Sequence, residues 1–153
     1  MESTLHKPAF VAGNTIPKAT IILFWIFTAL FCLEMSFTAY YELLVLPQAA
    51  EAFTRLGFPA GYFRVELSWA KVAGVLALLV PMRPARINIW IKEWAYAGFA
   101  INLVSALIAH LSIHDRPAAL VPSSITSVLW ILSYYFWRRL QTASVACHPD
   151  DRS

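Results

Sequence analysis

The run from Ala118 to Trp137 contains no Asp, Glu, Lys, Arg or His. A helix crossing the hydrocarbon core of a bilayer needs about 20 mainly apolar residues. A helix in a water-soluble protein rarely stays apolar around its whole circumference. Three other stretches share this character. Ala19–Tyr41 is interrupted only by Glu34, Phe63–Met82 carries Arg64, Glu66 and Lys71, and Trp94–Ile113 has His110 as its one ionisable side chain besides tyrosine. Composition agrees. The chain is 59% hydrophobic and 14% charged, with mean hydropathy +0.58. Soluble domains run to roughly 45–50% and about 25%. So little charge does not solvate a closed surface. A soluble globular domain, a disordered chain, a disulfide-rich secreted module and a nucleic-acid binder are all disfavoured. The expected fold is all-α: a four-helix transmembrane bundle with a short amphipathic helix between helices 1 and 2.

The domain plan is a cytoplasmic N-tail over 1–18, a membrane domain over 19–137 and a polar cytoplasmic C-tail over 138–153. The first span reads as a retained signal anchor, because its apolar run is long and no small-x-small cleavage site follows it. Orientation follows from Lys and Arg. Lys7, Lys18, Arg83, Arg86, Lys92, Arg138, Arg139 and Arg152 fall on one side, and Arg55, Arg64 and Arg116 on the other. This bias predicts cytoplasmic termini, and it accounts for the net charge of +3 without an anionic partner. Trp25, Trp90, Trp94 and Trp137 lie near the cytoplasmic boundary, where indole rings suit the headgroup region. In the first connection, Pro47 and Gly57 bracket a short predicted helix with Ala49, Phe53 and Leu56 on one face.

Ionisable groups within a span are costly, and they are the natural candidates for a site. At about 1.5 Å per residue, Glu34 and Lys71 fall about 10 and 12 Å below the outer boundary. Those depths predict an ion pair between the first two spans. Glu66 and His110 fall about 4–5 Å below the same boundary, close enough in level to hydrogen-bond. Asn102 and His110 share a helix face at i and i+8. Glu34, Glu66, Lys71, Asn102 and His110 are therefore the candidate residues for binding a ligand or moving protons. Glu66 and Lys71 are five positions apart, about 140° around a helix, so they do not both point inward. Lys92-Glu93 is read as opening the third span, with Glu93 suited to the helix dipole. Cys32 is read as a packing residue. The chain has no CxxC, GxSxG, Walker loop, GxGxxG or HExxH. No catalytic residue is assigned, and no metal site is expected.

Several strings resemble the DoxX-like family of small bacterial integral membrane proteins. They are Leu56-Gly-Phe-Pro59, Tyr62-Phe-Arg-Val-Glu66, Ala70-Lys71 with Gly74, Lys92-Glu-Trp-Ala-Tyr-Ala-Gly-Phe-Ala100, Ala109-His110-Leu-Ser and Ser133-Tyr134-Tyr135. The resemblance covers about Glu51 to Trp137. The chain departs from the usual pattern at Trp69 and at Glu34-Met-Ser-Phe. The resemblance implies a four-helix protein of the bacterial inner membrane. The wider group is named for a link to thiosulfate:quinone oxidoreductase, and some members are tied to thiol or redox stress. The expectation is an accessory or quinone-linked component of a membrane redox system, with quinone as the candidate cofactor. The alternatives are an assembly or chaperone-like subunit, and a small-solute or proton pathway in an oligomer. The expected partners are the lipid bilayer, a membrane or redox protein and further copies of the chain, with no nucleic acid.

Overall fold

The computed structural model describes residues 17–44, 47–57, 61–81, 86–114 and 116–146. Within them the chain forms helices and no strand. The helices are α1 (Lys18–Leu43), α2 (Pro47–Arg55), α3 (Tyr62–Leu79), α4 (Arg86–Ser112) and α5 (Pro117–Ala146). The short helix predicted between Pro47 and Gly57 is α2, and Gly57 follows it at φ +77°. A side chain is strained in that left-handed conformation, and glycine is not. Phe53 and Leu56 are half-buried, while the Ala49 side chain lies outside the described residues.

Among the described residues, three helices are long and apolar enough to cross a membrane: α1, α4 and α5. The expected second span, α3, is not among them. It has 18 residues, three of them charged: Arg64, Glu66 and Lys71. The expectation of four spans thus reduces to three by length and composition. Two boundaries also differ. The third span starts at Arg86 rather than Trp94, because Ile87, Ile89, Trp90 and Ile91 extend its apolar surface. The last helix runs past Trp137, where the membrane domain is expected to end, to Ala146. Most of the expected N-tail lies outside the described residues, as does the C-tail beyond Ala146.

In cyclic order, α1 packs on α3, α3 on α4, α4 on α5 and α5 on α1. Each helix buries a narrow seam and leaves large apolar side chains outside. Leu33, Phe37, Leu76, Ile101 and Ile131 are among those exposed. Lipid, unlike water, carries no penalty for such a surface. The buried residues of α3 are Arg64, Ser68, Lys71, Val75 and Leu78, which alternate four and three positions apart. That is the spacing of a helix–helix seam. Its first three positions are polar and its last two apolar. Aromatic rings fill the middle of the molecule. Phe31 meets Phe99 edge-on with centroids 4.9 Å apart, and Phe24 lies 5.3 Å from Trp25 and 6.2 Å from Trp137. Gly74 lets α3 approach α4 closely, since a Cβ there would sit 2.7 Å from the Phe99 ring.

Within α5, Pro122 supplies no N–H to the ladder. Hydroxyls downstream bond back to the preceding turn: Ser124 to the Leu120 carbonyl at 2.9 Å, Thr126 to that of Pro122 at 2.9 Å and Ser127 to that of Ser123 at 2.7 Å. Polar side chains are thereby satisfied locally in an apolar helix.

Candidate functional site

Lys71 is buried on α3, and its partner is Glu42 at the end of α1, not Glu34. Lys71 Nζ donates to Glu42 Oε1 at 2.6 Å, with both side chains almost fully buried. Axial depth alone predicts Glu34, but depth does not say which face a side chain occupies. The Glu34 carboxylate instead accepts from the Thr126 hydroxyl of α5. The four-carbon stem of lysine carries its ammonium along the helix, here toward the end of α1. Ser68 Oγ lies 3.0 Å from Glu42 Oε2 and 2.8 Å from the Arg64 carbonyl, so one proton is shared between two acceptors. Arg64 lies one turn before Ser68 on the same buried face. Where α1 ends and α3 begins, their seam thus holds a built polar cluster of Glu42, Arg64, Ser68 and Lys71.

The expected pairing of Glu66 with His110 rests on depth in the same way. Glu66 is exposed, as its 140° offset from the inward-facing Lys71 requires, while His110 is half-buried near the end of α4. Asn102 is half-buried and lines a groove between α3 and α4 together with Lys71. The groove has a volume of about 730 Å³. Its α3 wall is made of small residues, Ala70, Ala73, Gly74 and Ala77, and its α4 wall includes Trp90, Trp94 and Gly98. Small side chains on one helix face bulky rings on the other, which leaves the space open. Trp90 and Trp94 are 64% and 71% exposed. Trp137 is buried beneath Lys92, whose Nζ lies 5.6 Å from the ring centroid.

Two further polar groups lie toward the opposite end. Lys92 is inside α4, fully buried, and donates to the Leu78 carbonyl of α3. Next to it a chain of hydroxyls links three helices. Tyr96 OH and Thr28 Oγ1 each lie 2.7 Å from Ser133 Oγ. Cys32, a free thiol, is buried in the same core. Glu93 is not in the first turn of α4. It bonds α5 instead, accepting from Arg138 Nη1 at 3.1 Å and from Tyr134 OH at 3.3 Å. Of the five candidate residues, the structure brings Lys71 and Asn102 to one groove. It assigns Glu34 to an α1–α5 contact and turns Glu66 outward. Glu42, Arg64, Ser68, Thr28, Tyr96, Thr126 and Ser133 are additions. The polar positions Arg64, Ser68 and Lys71 at i, i+4 and i+7 are a signal that sequence contains.

Trp69, one of the two departures from the family pattern, is 61% exposed and disturbs no helix contact. Neither a comparison with curated proteins nor one with solved structures finds a match. The DoxX-like family matches residues 26–132, which take in most of α1, all of α2 to α4 and half of α5. With more than half of its length matched, and with its apolar helices packed as described, this chain belongs to the DoxX-like family and is a membrane protein.

Proposed function

We propose that the chain is an accessory component of a membrane redox system that binds a quinone in the α3–α4 groove. The observation that carries this reading is the groove itself. Its volume of about 730 Å³ falls within the range of ligand pockets, roughly 300–1,000 Å³. Its walls are apolar, and Lys71 and Asn102 are its two hydrogen-bonding side chains of strong donor character. An ammonium has three N–H donors, and Glu42 takes one of them. Another is free to meet a quinone carbonyl, as is the Asn102 amide. The indole of Trp90 or Trp94 offers a flat face to a flat ring. The exposed side of the groove leaves room for a prenyl tail among lipid chains.

In this reading the protein sits in the bacterial inner membrane with both termini cytoplasmic, and all four long helices span it as a transmembrane bundle. The excess of Lys and Arg on the side that holds the two termini supports the orientation. Pairing of Lys71 with Glu42 offsets part of the cost of carrying α3 through lipid.

The test uses the full chain in lipid nanodiscs and a short-chain ubiquinone analogue, read by quenching of tryptophan fluorescence. Saturable quenching is expected. Gly98→Leu should weaken it by roughly tenfold, the equivalent of ~1.4 kcal/mol. A Cβ at Gly98 meets nothing within 4 Å, so the new side chain enters the groove without strain. Quenching that rises linearly with quinone and is identical in Gly98→Leu refutes the reading.

A further inference from the structure

Arg64 is 5% exposed, and its buried Nε and Nη1 have no hydrogen-bond partner among the described residues. Leaving buried guanidinium donors unmade is costly, and a native structure that does so needs a reason. The surroundings supply one. Arg64, Ser68 and Lys71 share one face of α3. The carboxylate facing them, Glu42, is already engaged by Lys71 at 2.6 Å and Ser68 at 3.0 Å. Glu42 is thus taken up by Lys71 and Ser68, and among the described residues no hydrogen bond reaches Nε or Nη1 of the second buried cation, Arg64. Glu66, two positions from Arg64, projects about 200° away around the helix and is exposed, so it does not supply the missing charge. The cluster lies in the first turns of α3, at the level where α2 is held by the Phe53–Phe63 ring contact, 6.4 Å between centroids. An amphipathic helix at a membrane lies at headgroup depth.

We infer that the buried face of α3 formed by Arg64, Ser68 and Lys71, with Glu42 opposite, binds a single anion of the phosphate type. A guanidinium with free N–H groups is the side chain best matched to phosphate oxygens, and the surplus of one positive charge matches a phosphodiester. The source is either the headgroup of an anionic phospholipid or a free phosphate. Lys71 borders both the groove and this face, but Arg64 is not part of the groove lining, and the test below contains no quinone, so its outcome is separable from quinone binding.

The experiment is thermal unfolding of the full chain in a non-ionic detergent. Phosphatidylglycerol, phosphatidylcholine, inorganic phosphate, and chloride at matched ionic strength are added separately. Phosphatidylglycerol or phosphate should raise the Tm while phosphatidylcholine and chloride do not. A response to phosphatidylglycerol alone assigns the site to lipid, and one to phosphate assigns it to the free anion. Arg64→Gln should abolish the response, and Arg64→Lys should weaken binding roughly tenfold, since it keeps the charge and loses the planar fork. If Arg64→Gln does not fold, Arg64→Lys decides. A wild-type protein indifferent to both anions overturns the inference. So does an equal response to phosphatidylcholine, or an Arg64→Lys response equal to wild type.

Discussion

At the scale of single residues, the cluster at the end of α1 and α3 depends on reciprocity. Removing one member of a buried ion pair leaves the other charge uncompensated, at a cost of about 3–5 kcal/mol. Replacing both by apolar or neutral groups of similar volume is often close to neutral. Glu42→Gln and Lys71→Met should therefore each lower stability strongly, while the double variant recovers most of the loss. Reversible unfolding in mixed micelles checks this. The hydroxyl chain behaves differently, because Ser133 serves two partners at once. Ser133→Ala strands both Tyr96 and Thr28 and should cost about 1–3 kcal/mol by the same measurement. Tyr96→Phe leaves Thr28 and Ser133 paired and should cost less. Glu42 shows why a residue is missed in sequence. It closes an apolar run and reads as the first residue of a loop, whereas in the structure the helix carries it through to Leu43. Glu34 is legible as a charge within an apolar run but not as a partner of Thr126, because a run apolar on every side gives no cue to which face meets which neighbour.

At the scale of elements, the seam of α3 decides how near α4 can come. Gly74 is less favourable than alanine within a helix by about 0.8–1.0 kcal/mol. Overpacking a tight contact costs about 1–3 kcal/mol. The second term wins at this position. A Cβ would press on the Phe99 ring, which is itself held edge-on by Phe31. Gly74→Leu should thus destabilise the protein despite its better helix propensity, whereas Gly98→Leu, facing open space, should not. Comparing the two unfolding midpoints tests the assignment of contact and groove. The contrast between the two glycines is not legible in sequence. Both sit in apolar helices, and only the ring opposite Gly74 separates them. The existence of α2 is legible, because Pro and Gly are local signals that need no tertiary partner. The start of α4 and the end of α5 are not, because apolar and basic flanks both continue a helix without a stop.

At the scale of the whole molecule, the helices fix which ends lie together. Phe24 meets Trp137, and Thr28 meets Ser133, so the start of α1 and the end of α5 share one side. Single cysteines at the exposed positions Lys18 and Thr142, in a Cys32→Ala, Cys147→Ser background, should react with an impermeant maleimide from the same side of a sealed vesicle. A cysteine at Arg116 should react from the other. If α3 spans the membrane, Tyr62→Cys and Pro81→Cys label from opposite sides, and same-side labelling removes the fourth span. The all-helical, membrane-embedded character is legible from composition alone, since scarcity of charge is a property of the whole chain. Site geometry is not, because it depends on which of several apolar faces each helix turns to its neighbours.

The antiparallel closure of α1 on α5 has a consequence for the order of synthesis. Thr28 finds Ser133 across 105 residues of sequence, and Glu34 finds Thr126 across 92. At about 5–20 residues per second, a ribosome needs about 5–20 s to make the intervening chain. For that interval α1 carries a carboxylate and a hydroxyl whose partners do not yet exist. A nascent chain stopped after α4 should be a substrate for membrane quality control, and its half-life in a pulse-chase should lengthen once residues through Ser133 are restored.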